Sequence, residues 1–279
     1  MSTTILKFNS LHGKLDRLAK KNQKVFQESV QKWMAFTNKK IQEDLKNVFK
    51  KDIAAEVIDW QFLQKEGEKT MKPAVLRVMQ SGGDAAYATL KIEGSFDLLN
   101  PKSVEAANKF TAKLVTEVND QTQKGIRIYI ADGVKQGKSI PKIGRELRPI
   151  IGLTERQSQS IVNYRKSLSN KDKFPNLTAK DIDKRANRRA AKAHRQRTES
   201  IARTETARAQ NIGYSQGMEE LGVKELEFSI FDDAETSSEC RGLNENRFPP
   251  SEAAGIIPVH PNCRCVMLPV IEDETLTTV

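Results

Sequence analysis

Thr178-Ala179-Lys180-Asp181-Ile182-Asp183-Lys184-Arg185-Ala186-Asn187-Arg188-Arg189-Ala190-Ala191-Lys192-Ala193-His194-Arg195-Gln196-Arg197 is the stretch that decides the fold class. Thr178 with Asp181 three residues on has the form of a capping box, and no proline follows until after Gly222, a suitable C-cap. The spacing predicts one long helix or two nearly collinear ones, ~60 Å in extent if continuous. Its first half carries Lys184, Arg185, Arg188, Arg189, Lys192, Arg195 and Arg197 with mostly alanine between them. Alanine offers little bulk for a deep core. This half is therefore expected to project, or to lie against an acidic partner such as DNA phosphate or an acidic protein surface.

Toward the N-terminus the helical period continues. Leu11, Leu15, Leu18, Val25, Phe26, Val30, Trp33, Met34, Ile41, Leu45 and Val48 recur at steps of three and four, the mark of amphipathic helices. Lys14, Arg17, Lys20, Lys21 and Lys24 form a basic face on the same stretch, readable as a solvated helix surface. Gln80-Ser81-Gly82-Gly83-Asp84 reads as a linker or turn, and Asn100-Pro101 as a second break with Pro101 opening the next helix. Further helices are expected over residues 103–132, from Ile140 to Ile151, and from Thr154, a plausible N-cap, to about Leu168. Residues 169–176 contain Pro175 and read as an ordered loop.

Past Gly222 the period changes. Val223, Leu226, Phe228 and Ile230 alternate with polar residues, which predicts a short strand, and further strands are expected near Arg247-Phe248 and from Arg264 to Val270. The fold class is thus mainly α: an elongated helical region, a helical bundle with a long basic helix, and a small C-terminal α+β domain with a short antiparallel sheet. The expected divisions are an N-terminal helical region over 1–80, a linker over 81–100, the bundle over 101–221, the small domain over 222–272 and a frayed tail over 273–279.

Composition agrees with this picture and narrows the partners. Aromatic residues make up only 6% of the 279, against 29% charged, a balance suited to helices with extended solvated faces. Lys and Arg number 46 against 36 Asp and Glu, and a net charge of +10 favours a polyanionic neighbour, of which nucleic acid is the commonest. Met1-Ser2-Thr3-Thr4 lacks the features of a secretory signal, and no run approaches the ~18 apolar residues of a membrane span.

The densest chemistry lies near the end of the chain, in Cys240 and His260-Pro261-Asn262-Cys263-Arg264-Cys265. Three thiols and an imidazole at the ends of short strands form a ligand set favoured by structural zinc, tetrahedral and closed. Against it, Cys263 and Cys265 in a strand would point to opposite faces unless the backbone turns there. Reduced thiols, or a disulfide from Cys240 to Cys263 or Cys265, stay open as alternatives. A Cys–His nucleophile lacks an orienting group or oxyanion site nearby.

Taken in order, several motifs carry a family resemblance. They are Ile201-Ala202-Arg203-Thr204-Glu205-Thr206 with Ala209, Asn211 and Gly213, then Asp232-Asp233, Thr236 and Cys240-Arg241-Gly242-Leu243, then Phe248-Pro249 and Pro258-Val259-His260-Pro261-Asn262-Cys263-Arg264-Cys265. This chain resembles the phage Mu F-like minor head proteins, the head morphogenesis family of tailed phages, over roughly residues 96–270. The resemblance implies a minor capsid protein in few copies, associated with portal and capsid protein during head assembly and linked to DNA packaging or ejection. Its place would be the host cytoplasm during assembly and then the head interior near the portal. Many relatives carry Cys-x-x-Cys where this chain has Ser237 and Cys240, so His260 must supply the fourth ligand of any zinc site. Asn244-Glu245-Asn246 stands where the hairpin turn usually reads Asp-Gly.

Two clusters could pass for catalytic groups. Arg203, Thr204 and Glu205 read better as a structural junction, holding helix to sheet by hydrogen bonds. Gly133-Val134-Lys135-Gln136-Gly137-Lys138-Ser139 resembles a phosphate loop, but it has three residues between the glycines where the nucleotide motif needs four. No enzymatic reaction is expected. The leading function is a non-enzymatic virion protein that binds double-stranded DNA without regard to sequence, through the seven basic residues from Lys184 to Arg197. The rivals are a DNA-binding module outside the virion and a nucleotide hydrolase at Gly137-Lys138-Ser139.

Overall fold

The computed structural model describes residues 3–5, 8–48 and 58–272. The order is β1 (Thr3–Ile5), α1 (Phe8–Val48), α2 (Trp60–Leu90), α3 (Pro101–Lys135), α4 (Ile140–Leu147), α5 (Glu155–Leu168), α6 (Ala179–Glu220), β2 (Glu225–Ser229), α7 (Ser238–Leu243), β3 (Arg247–Phe248), α8 (Pro250–Ile256) and β4 (Val266–Glu272). The fold is mainly α with a small antiparallel sheet near the C-terminus. In that sheet β4 pairs with β2, which pairs with β3, and β1 pairs with the other side of β4. The expected tail over 273–279 lies outside the described residues. No helix among the described residues is long and apolar enough to cross a membrane.

The local signals explain the helix ends. Thr154 Oγ1 accepts from the Gln157 backbone N–H while the Gln157 side chain accepts from the Thr154 N–H, closing a capping box on α5. Thr178 and Asp181 do the same for α6 at 3.2 and 3.3 Å, and the Thr178 bonds hold the Asp181 carboxyl below its usual range. Gly222 ends α6 with φ +78°, a left-handed conformation that costs glycine nothing, and Val223 N–H donates to the Met218 carbonyl.

Compact units do not follow chain order. One unit takes Met1–Ser29, Met71–Thr111 and Ser200–Val279, and the other takes Val30–Thr70 and Ala112–Glu199. The first unit has a core in which Leu11 and Leu15 of α1 and Tyr214 and Met218 of α6 meet Leu226, Phe228, Met267 and Leu268 of the sheet. β2 departs from the expected alternation, since its last four residues are all buried. Glu227, one of the polar residues in that alternation, is 4% exposed and faces Arg247 Nε at 3.4 Å.

The expected break at Gln80–Asp84 is not one: α2 runs through it. Its glycines serve close packing inside the first unit. A Cβ at Gly82 would stand 2.2 Å from the Gln210 carbonyl oxygen, and one at Gly213 would stand 1.9 Å from that of Met79. The α2 and α6 backbones touch where no side chain fits.

In the second unit Ile126, Leu147, Ile150, Ile151, Leu153, Ile161 and Val162 form a core closed by Ala186 and Ala190 of α6. Two of the alanines expected to mark a projecting helix, Ala186 and Ala190, are thus covered, because their small side chains let α6 lie close on the core. His194 is half-buried there, with Nε2 2.9 Å from the Pro149 carbonyl. Burial, with the Arg197 cation nearby, lowers its pKa below 6.5, and burial does the same to His12 of the first unit, packed edge-on to Phe231 at 3.8 Å.

Both imidazoles are neutral when folded and gain a proton more readily when unfolded. Their contribution is therefore intact above the unfolded pKa of 6.5 and is lost as pH falls through the lowered folded values. Melting temperature is expected to drop between about pH 7 and pH 5, and His194→Gln is expected to flatten that slope. An unchanged slope in both His194→Gln and His12→Gln would remove these histidines from the account.

Candidate metal centre and basic face

Short elements set the positions of the cysteines. Ser237 caps α7 by accepting from the Cys240 N–H at 3.1 Å, which fixes Cys240 in the first turn with its thiol turned into the core. Arg241 anchors α7 to the preceding loop, through Asp232 and through the Asp233 carbonyl at 2.7 Å. Arg264 holds both carboxylate oxygens of Asp233 at 2.6 Å, so the loop and the start of β4 are clamped from two sides.

The objection from strand geometry does not arise, because Cys263 and Cys265 precede β4. Asn262 takes φ +64°, and Cys263 N–H closes a turn onto the His260 carbonyl at 3.1 Å. All three thiols are buried as a result. Cys240 Sγ and Cys263 Sγ lie 3.9 Å apart. The ligand atoms of Cys240, His260 and Cys263 all lie within 4.8 Å of one another. A tetrahedral zinc with bonds of ~2.3 Å to sulfur spaces its sulfurs by ~3.8 Å, so the pair needs little adjustment to hold one. His260 Nδ1 sits 3.0 Å from the Pro261 carbonyl, and as donor there it leaves the Nε2 lone pair free.

Cys265, the fourth ligand expected, lies beside the Cys240 and Cys263 sulfurs but outside the group of three whose ligand atoms are all within 4.8 Å of one another. The neighbouring Cys265 thiol above all lowers the Cys263 thiol below its usual range, and Cys265 itself is raised by the same neighbour and by burial. Burial raises Cys240. The site is therefore two sulfurs and one imidazole nitrogen with a third thiol beside them, a donor set fit for a soft or borderline cation.

The Arg203, Thr204, Glu205 cluster divides by role. Thr204 Oγ1 accepts from the Asn262 N–H at 3.1 Å, tying α6 to the turn that carries Cys263. Glu205 Oε2 accepts from Arg208 Nε at 2.9 Å. Arg203, expected to lock the junction, makes no hydrogen bond or ion pair among the described residues.

On the first half of α6, Lys184, Arg185, Arg188, Arg189, Lys192 and Arg195 are exposed, opposite the covered Ala186 and Ala190. Arg189 is braced, 3.1 Å from Ser160 Oγ and 4.7 Å above the Tyr164 ring. Arg197 does not belong with them. It is 5% exposed and donates to the carbonyls of Gly152 and of Val118, the latter at 3.2 Å, so it serves the core of the second unit. Desolvation pulls its pKa down to about 10, which leaves it a cation at neutral pH. Lys138 of the phosphate-loop lookalike is engaged as well, with Nζ 2.6 Å from Glu146 Oε2 in a mostly buried pair. Gly137 next to it, at φ +62°, makes the turn between α3 and α4.

Residues 177–268 match the family described as Phage Mu protein F like protein. The matched Mu F-like segment is a third of the chain and spans α6, the cysteine-bearing loops and the sheet up to Leu268. No curated protein and no solved structure matches the chain. Both the exposed cations of α6 and the Cys240, His260, Cys263 cluster fall inside the Mu F-like segment. The cap residue Ser237 went unrecognised in the sequence, although Ser two residues before an acidic first-turn position is an N-cap signal.

Proposed function

We propose that this protein is a minor capsid, head morphogenesis protein of a tailed phage that docks beside the portal and capsid protein and neutralises packaged double-stranded DNA, without catalysing a reaction. The observation that carries this reading is the row of exposed cations on α6 within the Mu F-like segment, held outward by the covered alanines behind it. Released counterions supply the binding energy of such a face, so the contact takes no account of base sequence. DNA affinity is expected to fall steeply with salt. Replacing Lys184, Arg185 and Arg188 together by Gln should reduce the slope of log affinity against log salt by about one for each phosphate that is no longer neutralised. No binding at low ionic strength would remove DNA from the reading, and a footprint at one preferred sequence would favour a module acting outside the virion. Mass spectrometry of purified virions and co-sedimentation with portals test the location directly.

Cys240, His260 and Cys263 would hold a zinc ion, which when bound supplies a structural crosslink between α7 and the turn before β4. Metal analysis of the purified protein is expected to find about one zinc per chain, lost in Cys263→Ser together with stability of the sheet region. A metal-free wild type with full thermal stability sinks the zinc assignment.

A further inference from the structure

Behind the cysteines, in the first unit, lies a cavity of about 180 Å³ between α1, α6 and the start of β4. Its α6 wall is one stripe: Arg203, Ala207, Gln210 and Tyr214 follow at steps of four, three and four. Ala207 leaves the hollow. Leu15, Ile257 and Met267 make the lining largely apolar. Gln210 is 7% exposed; its Nε2 donates to the Leu15 carbonyl at 3.1 Å, and its Oε1 has no partner among the described residues. A buried acceptor left in this state bears a desolvation penalty that a ligand's donor would relieve. At the same wall Arg203 is a cation with no partner among the described residues. The other charges lining the cavity are paired within the protein, Lys20 with Asp16 at 2.6 Å and Arg264 with Asp233. One positive charge is left over.

We propose that this cavity binds an apolar residue bearing a free carboxylate and an amide N–H, the chemistry shared by an N-acylated amino acid and the C-terminal residue of a polypeptide. The carboxylate pairs with Arg203, the amide N–H donates to Gln210 Oε1, and the side chain fills the space against Leu15 and Met267. The volume suits the apolar side chain, since an apolar cavity of ~150 Å³ holds a benzene-sized molecule. Cys263 forms part of the wall but makes none of these contacts, and the exposed cations of α6 lie outside the lining.

The test uses the full chain with methyl-labelled methionine, reading Met267 in the cavity wall against Met71, which is not among the lining residues, as a reference. N-acetyl-leucine is expected to shift the Met267 methyl saturably and leave Met71 in place. N-acetyl-leucine amide, which lacks the carboxylate, should bind at least about tenfold more weakly, as should the acid to Arg203→Gln, because a charge-assisted bond of ~1.5–3 kcal/mol is lost in each. A pentapeptide ending in a free leucine carboxylate separates the two sources: tighter binding than N-acetyl-leucine assigns the site to a chain terminus, and exclusion of the peptide assigns it to a free acid. The proposal is overturned by no saturable Met267 shift with either ligand, or by equal binding of acid and amide. Gln210→Ala, with Arg203 intact, gives a second reading, since the acid should then bind more weakly while the acid-to-amide ratio set by Arg203 is kept.

Discussion

Gly213→Ala is expected to destabilise the first unit by about 3 kcal/mol, at the upper end of what overpacking costs. The added methyl would lie 1.9 Å from the Met79 carbonyl oxygen and 2.7 Å from its carbon, and both atoms belong to the α2 backbone. A flexible side chain could swing aside, but a hydrogen-bonded helix cannot, so α2 and α6 must separate and loosen the packing around them. Alanine's better helix propensity returns only about 1 kcal/mol. Gly13→Ala supplies the control, because a Cβ there meets nothing within 4 Å inside α1. That change should stabilise by up to about 1 kcal/mol. Urea unfolding followed by a probe in the sheet checks both, and equal midpoints for the two variants would show that the glycine approach between α2 and α6 is not tight.

Arg197→Met is expected to cost the second unit about 2 kcal/mol, on the basis of 1–3 for the buried Gly152 carbonyl left without a donor. Arg197 also donates to the Val118 carbonyl, from a different segment of the chain, which keeps its bond from Thr122 Oγ1 at 2.8 Å. Methionine replaces most of the side-chain volume, so the loss reports the missing hydrogen bonds more than an empty space. Arg197→Lys should recover only part of it, since an ammonium cannot spread its donors across the two carbonyls as the planar guanidinium does. The same variants should leave the salt slope of DNA binding unaltered, in contrast to Arg188→Gln. A loss of stability below about 1 kcal/mol in Arg197→Met, or a shallower salt slope, would return Arg197 to the exposed face.

Helices were legible wherever capping chemistry and a three-four period coincided, as at Thr154, at Thr178 and at Gly222. The strands were legible in place but not in facing, because Glu227 lies on a strand covered on both sides. Small residues misled in two places for one reason. Gly82-Gly83 and the alanines of α6 fit a turn and a projecting helix as well as they fit a close helix packing, and only the neighbour decides between them. The cationic stripe carried the same ambiguity. Nothing local distinguishes Arg197 from Arg195, since the carbonyls that receive Arg197 lie dozens of residues away. In the candidate metal site, the residue types were legible and the grouping was not. The turn at Asn262, with its one positive φ angle, brings Cys263 to Cys240 and His260 and leaves Cys265 beside the two sulfurs.

The interleaving of the two units bears on how the chain can be made. The second unit ends at Glu199, so all its segments have been synthesised while the sheet is still to come. The first unit must wait for β4, keeping part of the apolar face of Leu11 and Leu15 bare until that strand leaves the ribosome. By the same logic a recombinant fragment limited to residues 177–268 would lack the α1 and α2 partners of its own core, and would be expected to precipitate instead of folding.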